Sequence, residues 1–177
     1  MPSNTNAMGA LAAVQNDKSK ILDVRMGRHT VEPGLHIPKA EARDEPVIRF
    51  DGANTSTKYM VVCLDLDAPH PSFPFLSPIL HWIQPGLQAT NEGGQRVLRA
   101  SEPSISDYAP PGPPPGSPPH RYCFFLYEQP ASFDGSKYAS GDGAKMGLWS
   151  RMRYSLGAAE EELGLGPIVA TNYFTSN

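Results

Sequence analysis

Twelve of the chain's nineteen prolines are concentrated in two stretches, five between Pro69 and Pro85 and seven between Pro110 and Pro119. Proline has no N–H to donate and holds φ near one value, so each proline disfavours a helix interior or a central sheet position where it stands. All nineteen prolines and the sixteen glycines together make up about a fifth of the 177 positions, and proline is near twice its usual share of ~5%. Long helical bundles and coiled coils are thereby excluded. Each stretch adjoins a strongly β-like run, so both read as stiff loops at strand ends and not as disordered linkers. The segment from Pro110 to Pro119 is either a polyproline ligand for a partner or a rigid wall, and its place between apolar strands favours the wall.

Three runs carry the strand signal. Tyr59 to Leu64 is apolar on both alternating faces, as expected of a central strand covered on both sides. Ile79 to Ile83 and Tyr122 to Tyr127 have the same character, with the aromatic and β-branched residues that suit a pleated surface. Weaker candidates are Ile21 to Val24, His29 to Val31, Val47 to Phe50, Val97 to Arg99 and Ile168 to Ala170. Helix is scarce. One helix is predicted after Ser155, an N-cap, with Leu156, Ala159 and Leu163 on one side and Gly164 as its stop. A short one is predicted over Ala7 to Gln15. The expectation is a mostly β, antiparallel fold: residues 1–20 as an N-terminal segment with a short helix and 21–177 as a single domain.

Fifteen basic and eighteen acidic residues give a net charge of −3, which offers no electrostatic grip on nucleic acid. A 40% hydrophobic content is that of a folding chain. No window approaches the ~20 apolar residues of a membrane-spanning helix. Met1 to Asn6 carry no Lys or Arg, and the apolar stretch from Ala7 to Val14 is short, unlike a secretory leader. Cys63 and Cys123 sit inside apolar runs and read as buried thiols, so the expected location is cytoplasmic and the Asn54-Thr55-Ser56 sequon idle.

The chemistry-bearing residues gather at strand ends. Asp65 and Asp67 follow the central strand; if extension continues, both project from the face of Tyr59, Val61 and Cys63, ~7 Å apart. Such a pair needs donors or cations if buried, or else caps a turn. His81 stands between Ile79 and Ile83, and His120 ends the proline loop and shares a face with Tyr122 and Phe124. Two Asp, two His and one Tyr suit a small polar pocket in an apolar wall. Neither histidine has a second histidine at HxH or HxxxH spacing, so no metal is expected. Nucleophile-elbow, phosphate-loop and dinucleotide signatures are absent from the sequence. Arg121 is the only cation between Ala100 and Ser136, and there is none between Tyr59 and Gln95. An anion held by these loops would depend on histidines, backbone N–H groups or that guanidinium.

Four ordered motifs carry a resemblance: Asp65-Leu66-Asp67-Ala68-Pro69, Ile79-Leu80-His81-Trp82, Ser106-Asp107-Tyr108 with Gly112-Pro113-Pro114, and His120-Arg121-Tyr122. Together they are similar to the phosphatidylethanolamine-binding protein family, which includes Raf kinase inhibitor protein, a yeast carboxypeptidase Y inhibitor and plant flowering regulators. The likeness runs from about Ile21 to Phe174. It implies a β-sandwich of two antiparallel sheets and an anion pocket at the strand ends, lined by Asp65, Asp67, Pro69, His81, Gly112, Pro113, His120 and Tyr122. Ile79 and Arg121 would stand behind these residues, Arg121 as a structural ion-pair partner, and Ala68–Pro69 would be cis. Phosphate, phosphoethanolamine or an organic acid would be the occupant, with no cofactor, and a kinase or protease the protein partner.

Leu66 departs from the family's proline, Pro119 precedes His120, and Ile79 and Leu80 make the rim greasier. The chain ends soon after Tyr173, which implies a wider mouth than in members with a covering C-terminal helix. The Asp-Leu-Asp form is similar to fungal members associated with secondary-metabolite pathways.

Two working functions follow. In the first, Asp65 and Asp67 raise the pKa of both histidines and prepare them to receive an anion, and the protein regulates a partner. In the second, Asp67, His81 and His120 carry out acid-base isomerisation, dehydration or cyclisation of a small organic acid. A pocket that only supports the surface is the third and plainest reading.

Overall fold

In the computed structural model, which describes residues 5–138 and 147–177, the run expected to be central forms the core of the sheet. This strand, β5 (Lys58–Asp65), is buried at every position after Lys58. It is flanked by β6 (Ile79–Glu92) and β8 (His120–Glu128), both antiparallel to it. The other strands are β1 (Asp23–Met26), β2 (His29–Thr30), β3 (Leu35–His36), β4 (Val47–Arg49), β7 (Gln95–Ala100) and β9 (Ala170–Ser176). Their spatial order is β2-β1-β4-β7-β6-β5-β8-β9-β3. All pairs are antiparallel except β3 with β9.

The fold is mostly β with a few short helices, as the proline and glycine content requires. Hydrogen bonding joins the strands into one continuous nine-stranded sheet, where the resemblance implied two. The long β6 makes the connection: its first half pairs with β5 and its second half, from Leu87, with β7. Pro85 therefore lies within a strand, at an irregularity in the β5 pairing where the ladder can spare an N–H. Gly86 follows at φ +67, and a Cβ there would stand 2.6 Å from Glu102, so only glycine makes this bend without displacing a neighbour.

The two faces of β5 enter separate cores. Tyr59, Val61 and Cys63 pack with Trp82, Tyr122, Phe124 and Phe174, under Val24, Met26, Ile37 and Ile48 from the N-terminal part of the chain. Met60, Val62 and Leu64 pack with Leu80, Cys123, Phe125 and Tyr127 on the other side. Burial of each large side chain contributes roughly 2 kcal/mol. The second core is roofed by α1 (Thr5–Ala13), through Ala7 and Leu11, and by α3 (Leu156–Leu163), through Leu156, Ala159 and Leu163. The Ser155 hydroxyl accepts the Ala158 N–H at the start of α3, and Gly164 ends it at φ 65. A shorter helix, α2 (Leu148–Arg151), precedes it.

This topology determines where a site can form. In an antiparallel sheet the end of one strand lies beside the beginnings of its neighbours. Asp65, the last residue of β5, accordingly pairs in register with Ile79 of β6 and Tyr122 of β8. The loops that meet there contain most of both proline-rich stretches. No helix among the described residues is long and apolar enough to cross a membrane.

Candidate functional site

Asp65 and His120 meet across the β5–β8 register. His120 Nδ1 lies 2.8 Å from Asp65 Oδ2, and the other carboxylate oxygen accepts the Asp67 N–H at 2.8 Å. His120 Nε2 is 2.9 Å from the Ser117 hydroxyl, which is placed to donate to the Pro118 carbonyl at 3.1 Å. When Ser117 donates to Pro118 it accepts from Nε2, and both ring nitrogens carry protons. Burial disfavours that charge, but the hydrogen bond and charge of Asp65, the charge of Asp67 and the Pro69 carbonyl outweigh it, so the His120 pKa is raised. Ser117 is the only hydroxyl in the Pro110 to Pro119 stretch. That was the signal by which sequence reading would have found it.

His81 is set differently. Its Nδ1 lies 2.7 Å from the Ala109 carbonyl, while its own carbonyl accepts the Ala109 N–H at 2.7 Å. Because a carbonyl only accepts, Nδ1 carries the proton, and Nε2 is the nitrogen left to engage other groups. Burial lowers the His81 pKa; the Ala109 carbonyl and Asp65 oppose this, and the positive charges of Arg151 and His120 add to the lowering. The expectation of two carboxylate-raised imidazoles therefore needs correcting. His120 is pushed up, and desolvation takes His81 the other way.

Both rings line a cavity of about 300 Å³ with Asp65, Pro69 and Gly112. Its remaining wall is largely apolar, formed by Ala68, Leu76, Ile79, Leu80 and Met152, with Ala109, Pro110 and Pro114 as the proline side. Ile79, expected to stand behind the pocket, lies on it. Ala68–Pro69 is cis, as is Ser77–Pro78.

Arg151 of α2 also lines the cavity, and sequence reading missed it. Its guanidinium is buried, donating to the Asp107 carbonyl at 3.0 Å and reaching the Leu80 and His81 carbonyls at 3.4 Å. Burial lowers its pKa and the Asp107 charge opposes this, yet an arginine stays protonated at any ordinary pH. No local pattern marks it, since a four-residue helix reaches the cavity only through tertiary packing.

Three expected lining residues stand elsewhere. Asp67 accepts from Arg121 through both oxygens, Oδ1 from Nη2 at 2.7 Å and Oδ2 from Nε at 2.8 Å, and also from the Arg121 N–H at 2.8 Å. Strand alternation ends at Asp65, whose side chain caps a turn through the Asp67 N–H. Asp67 thereby joins the opposite face, and Arg121 is the ion-pair partner expected of it. Tyr122 lies behind His81, its ring edge-on at 5.0 Å and stacked on Phe174 at 5.2 Å. Burial, with the charge of Asp65, pushes the Tyr122 phenol well up, so it stays protonated. Pro113 belongs to the proline loop and is not part of the lining.

Comparison with known proteins decides the family. A profile described as phosphatidylethanolamine-binding protein matches residues 27–174. The chain belongs to this family. It is 26% identical over 170 residues to carboxypeptidase Y inhibitor of Saccharomyces cerevisiae, spanning 81% of this chain and 77% of that protein. It is 30% identical over 150 residues to the protein MOTHER of FT and TFL1 homolog 2 of Oryza sativa subsp. japonica, spanning 85% and 77%. Its fold matches carboxypeptidase Y inhibitor, solved in complex with the cognate proteinase, with a TM-score of 0.74 over 96% of this chain and 95% of that one, at 24% identity. The phosphatidylethanolamine-binding protein of Plasmodium vivax gives 0.67 over 94% and 96%, at 15% identity. Family membership thus rests on the sequence profile, and the structural matches speak for the fold.

Proposed function

We propose that this family member binds a small oxyanion with an apolar portion, of phosphate, phosphoethanolamine or carboxylate type, and regulates a protein partner such as a protease or kinase. One observation carries the reading: a 300 Å³ cavity with apolar walls is lined by a buried guanidinium and two imidazoles, one of them bonded to Asp65 and raised in pKa. His120 and Arg151 offer N–H donors on that wall, of the kind that make charge-assisted hydrogen bonds to an oxyanion. The apolar wall takes the hydrocarbon part. A protease partner is supported by the yeast relative, whose structure was solved with its cognate proteinase.

Calorimetric titration with phosphoethanolamine tests this. Wild-type affinity is expected to fall as pH rises through the elevated His120 pKa, and Arg151→Gln to bind at least ~10-fold more weakly. If the double variant His81→Ala, His120→Ala binds as the wild type does, the site assignment is lost.

The divergent imidazoles favour a second reading, an enzyme without cofactor acting on a small organic acid. A neutral ring with Nε2 available is a base, a charged ring is an acid, and environments that separate two pKa values are how sites divide those roles. In a dehydration, His81 Nε2 would take the C–H proton and the leaving hydroxyl would take a proton from the His120–Ser117 pair, departing as water. Asp67, tied to Arg121, has no part in this scheme. Turnover of candidate acids abolished by His81→Gln would support it, and binding without turnover would sink it.

A further inference from the structure

A second hollow, of about 140 Å³, opens where β4 begins, between that strand, β6 and the end of β7. Only Ile48 with Leu98 and Arg49 with Val97 pair β4 to β7, so the ladder stops short of this point and does not close it. Ile48, Leu87 and Leu98 give the hollow an apolar wall, and it shares no lining residue with the cavity that holds the histidines.

Trp82 and Gln84 of β6 also line it. They pair in register with Cys63 and Val61 of β5 and, two positions apart on one face of the strand, are spaced roughly 7 Å along it. Trp82 is 1% exposed, and its indole N–H has no acceptor. Buried donors are nearly always paired, so an orphan of this kind marks a place where an acceptor belongs. Gln84 is 4% exposed, and its amide nitrogen donates to the Pro85 carbonyl at 2.7 Å and to the Glu102 carbonyl at 2.8 Å. Two carbonyl partners establish which end of the amide is the nitrogen and use both of its protons. The amide oxygen is thereby aimed the other way, and no donor reaches it among the described residues. One wall thus presents a free donor and a free acceptor side by side.

The charged groups of the hollow are Glu45 and Arg99. Arg99 is taken up by Glu92, donating to its two oxygens at 2.8 and 2.7 Å. Glu45 is exposed and makes no hydrogen bond among the described residues; desolvation raises its carboxyl pKa and the charge of Asp107 adds to this. A neutral donor is therefore welcome at Glu45, and an anion would be repelled by both carboxyl groups.

We propose that this hollow binds a small neutral molecule carrying a primary carboxamide. The carbonyl of the ligand accepts the Trp82 indole N–H, and its nitrogen donates to Gln84 Oε1 and, at the mouth, to Glu45. A single planar amide thereby satisfies the free donor and the free acceptor together. A water molecule takes up about 30 Å³ of liquid, so the volume admits an amide with a short aliphatic chain, which packs on Ile48, Leu87 and Leu98. A carboxylate of the same shape has no N–H to give to Gln84 and adds a third negative charge beside Glu45 and Asp107.

Proton–nitrogen correlation NMR of the full chain with propionamide tests this. The sequence has two tryptophans, so Trp149→Phe leaves one indole signal and assigns it to Trp82. That signal is expected to move downfield saturably, with half-saturation at about 1–10 mM, and propionate to bind at least ~10-fold more weakly. Glu45→Ala, at an exposed position, should weaken propionamide ~5-fold. Val47→Phe, which places a ring on the lining from a half-buried position, should weaken it ~10-fold or more, and the remainder of each spectrum reports whether the variant keeps its fold. A Trp82 signal unmoved by propionamide at about 100 mM, an equal response to propionate, or a response that a folded Glu45→Ala protein retains in full overturns the proposal.

Discussion

Two aspartates, two positions apart, each hold a cation from the start of β8, and the two pairs are not equivalent. Asp65 holds His120 with both side chains almost fully buried, at 5% and 1% exposure; Asp67 holds Arg121 in a bidentate pair in which the arginine side chain is 39% exposed. The first cation is a titratable imidazole whose pKa Asp65 helps raise, and it lines the cavity. The second stays charged at any ordinary pH, on the opposite face. Similar local chemistry therefore gives a pH-responsive element on one side of the sheet and a permanent clip on the other. The difference comes from the turn after Asp65, which sends consecutive odd-numbered residues to different faces.

Removing Asp65 is the most damaging way to break this comparison. Asp65→Asn leaves His120 buried without its counter-charge, and a loss of about 3 kcal/mol in unfolding free energy is expected by denaturant titration. NMR titration should show the His120 pKa falling in the same variant. Asp67→Asn should cost only about 1 kcal/mol, since solvent screens the Arg121 guanidinium, and should leave the pH dependence of phosphoethanolamine binding unchanged. An equal loss from the two substitutions would erase the distinction.

The imidazoles sharpen it further. A raised pKa means that the folded state holds the His120 proton more tightly. The resulting stability is complete below the ordinary value of 6.5 and disappears as pH rises through the folded-state value. His81 works in the opposite sense: its lowered pKa adds stability above 6.5 that is lost as pH falls toward the folded-state value. Denaturation of His120→Gln and His81→Gln across pH should give difference curves of opposite slope. Parallel curves would mean that the two rings share one environment. The smallest effect is expected from Ser117→Ala, which removes the oxygen at Nε2: about 0.5–1 kcal/mol, with a slight fall in the His120 pKa by NMR.

Much of the sheet was legible because its signals are local. Both-sides-apolar runs predicted β5, β6 and β8, and the Ser155 and Gly164 caps bounded α3 to the residue. The two-residue β3 and its parallel pairing with β9 left no pattern, since a pair of extended residues has no period to read. Of the expected pocket, Asp65, Pro69, His81, Gly112 and His120 come together, because each sits at a strand end or in a loop that the register assembles. Asp67 was misplaced because period-2 alternation was carried one step past the end of its strand. Arg151 was missed because the carbonyls it bonds, those of Leu80, His81 and Asp107, are distant from it in sequence.

The residues alone settle the material of this protein: proline keeps the connections out of helix, and alternating apolar runs require strands covered on both faces. Motif order was enough to indicate the family. Only the assembled structure separates the histidines, because the pKa of a ring depends on what surrounds it and not on its neighbours in sequence. The same holds for the guanidinium on the cavity wall. Those positions depend on packing between segments dozens of residues apart, which local pattern does not encode.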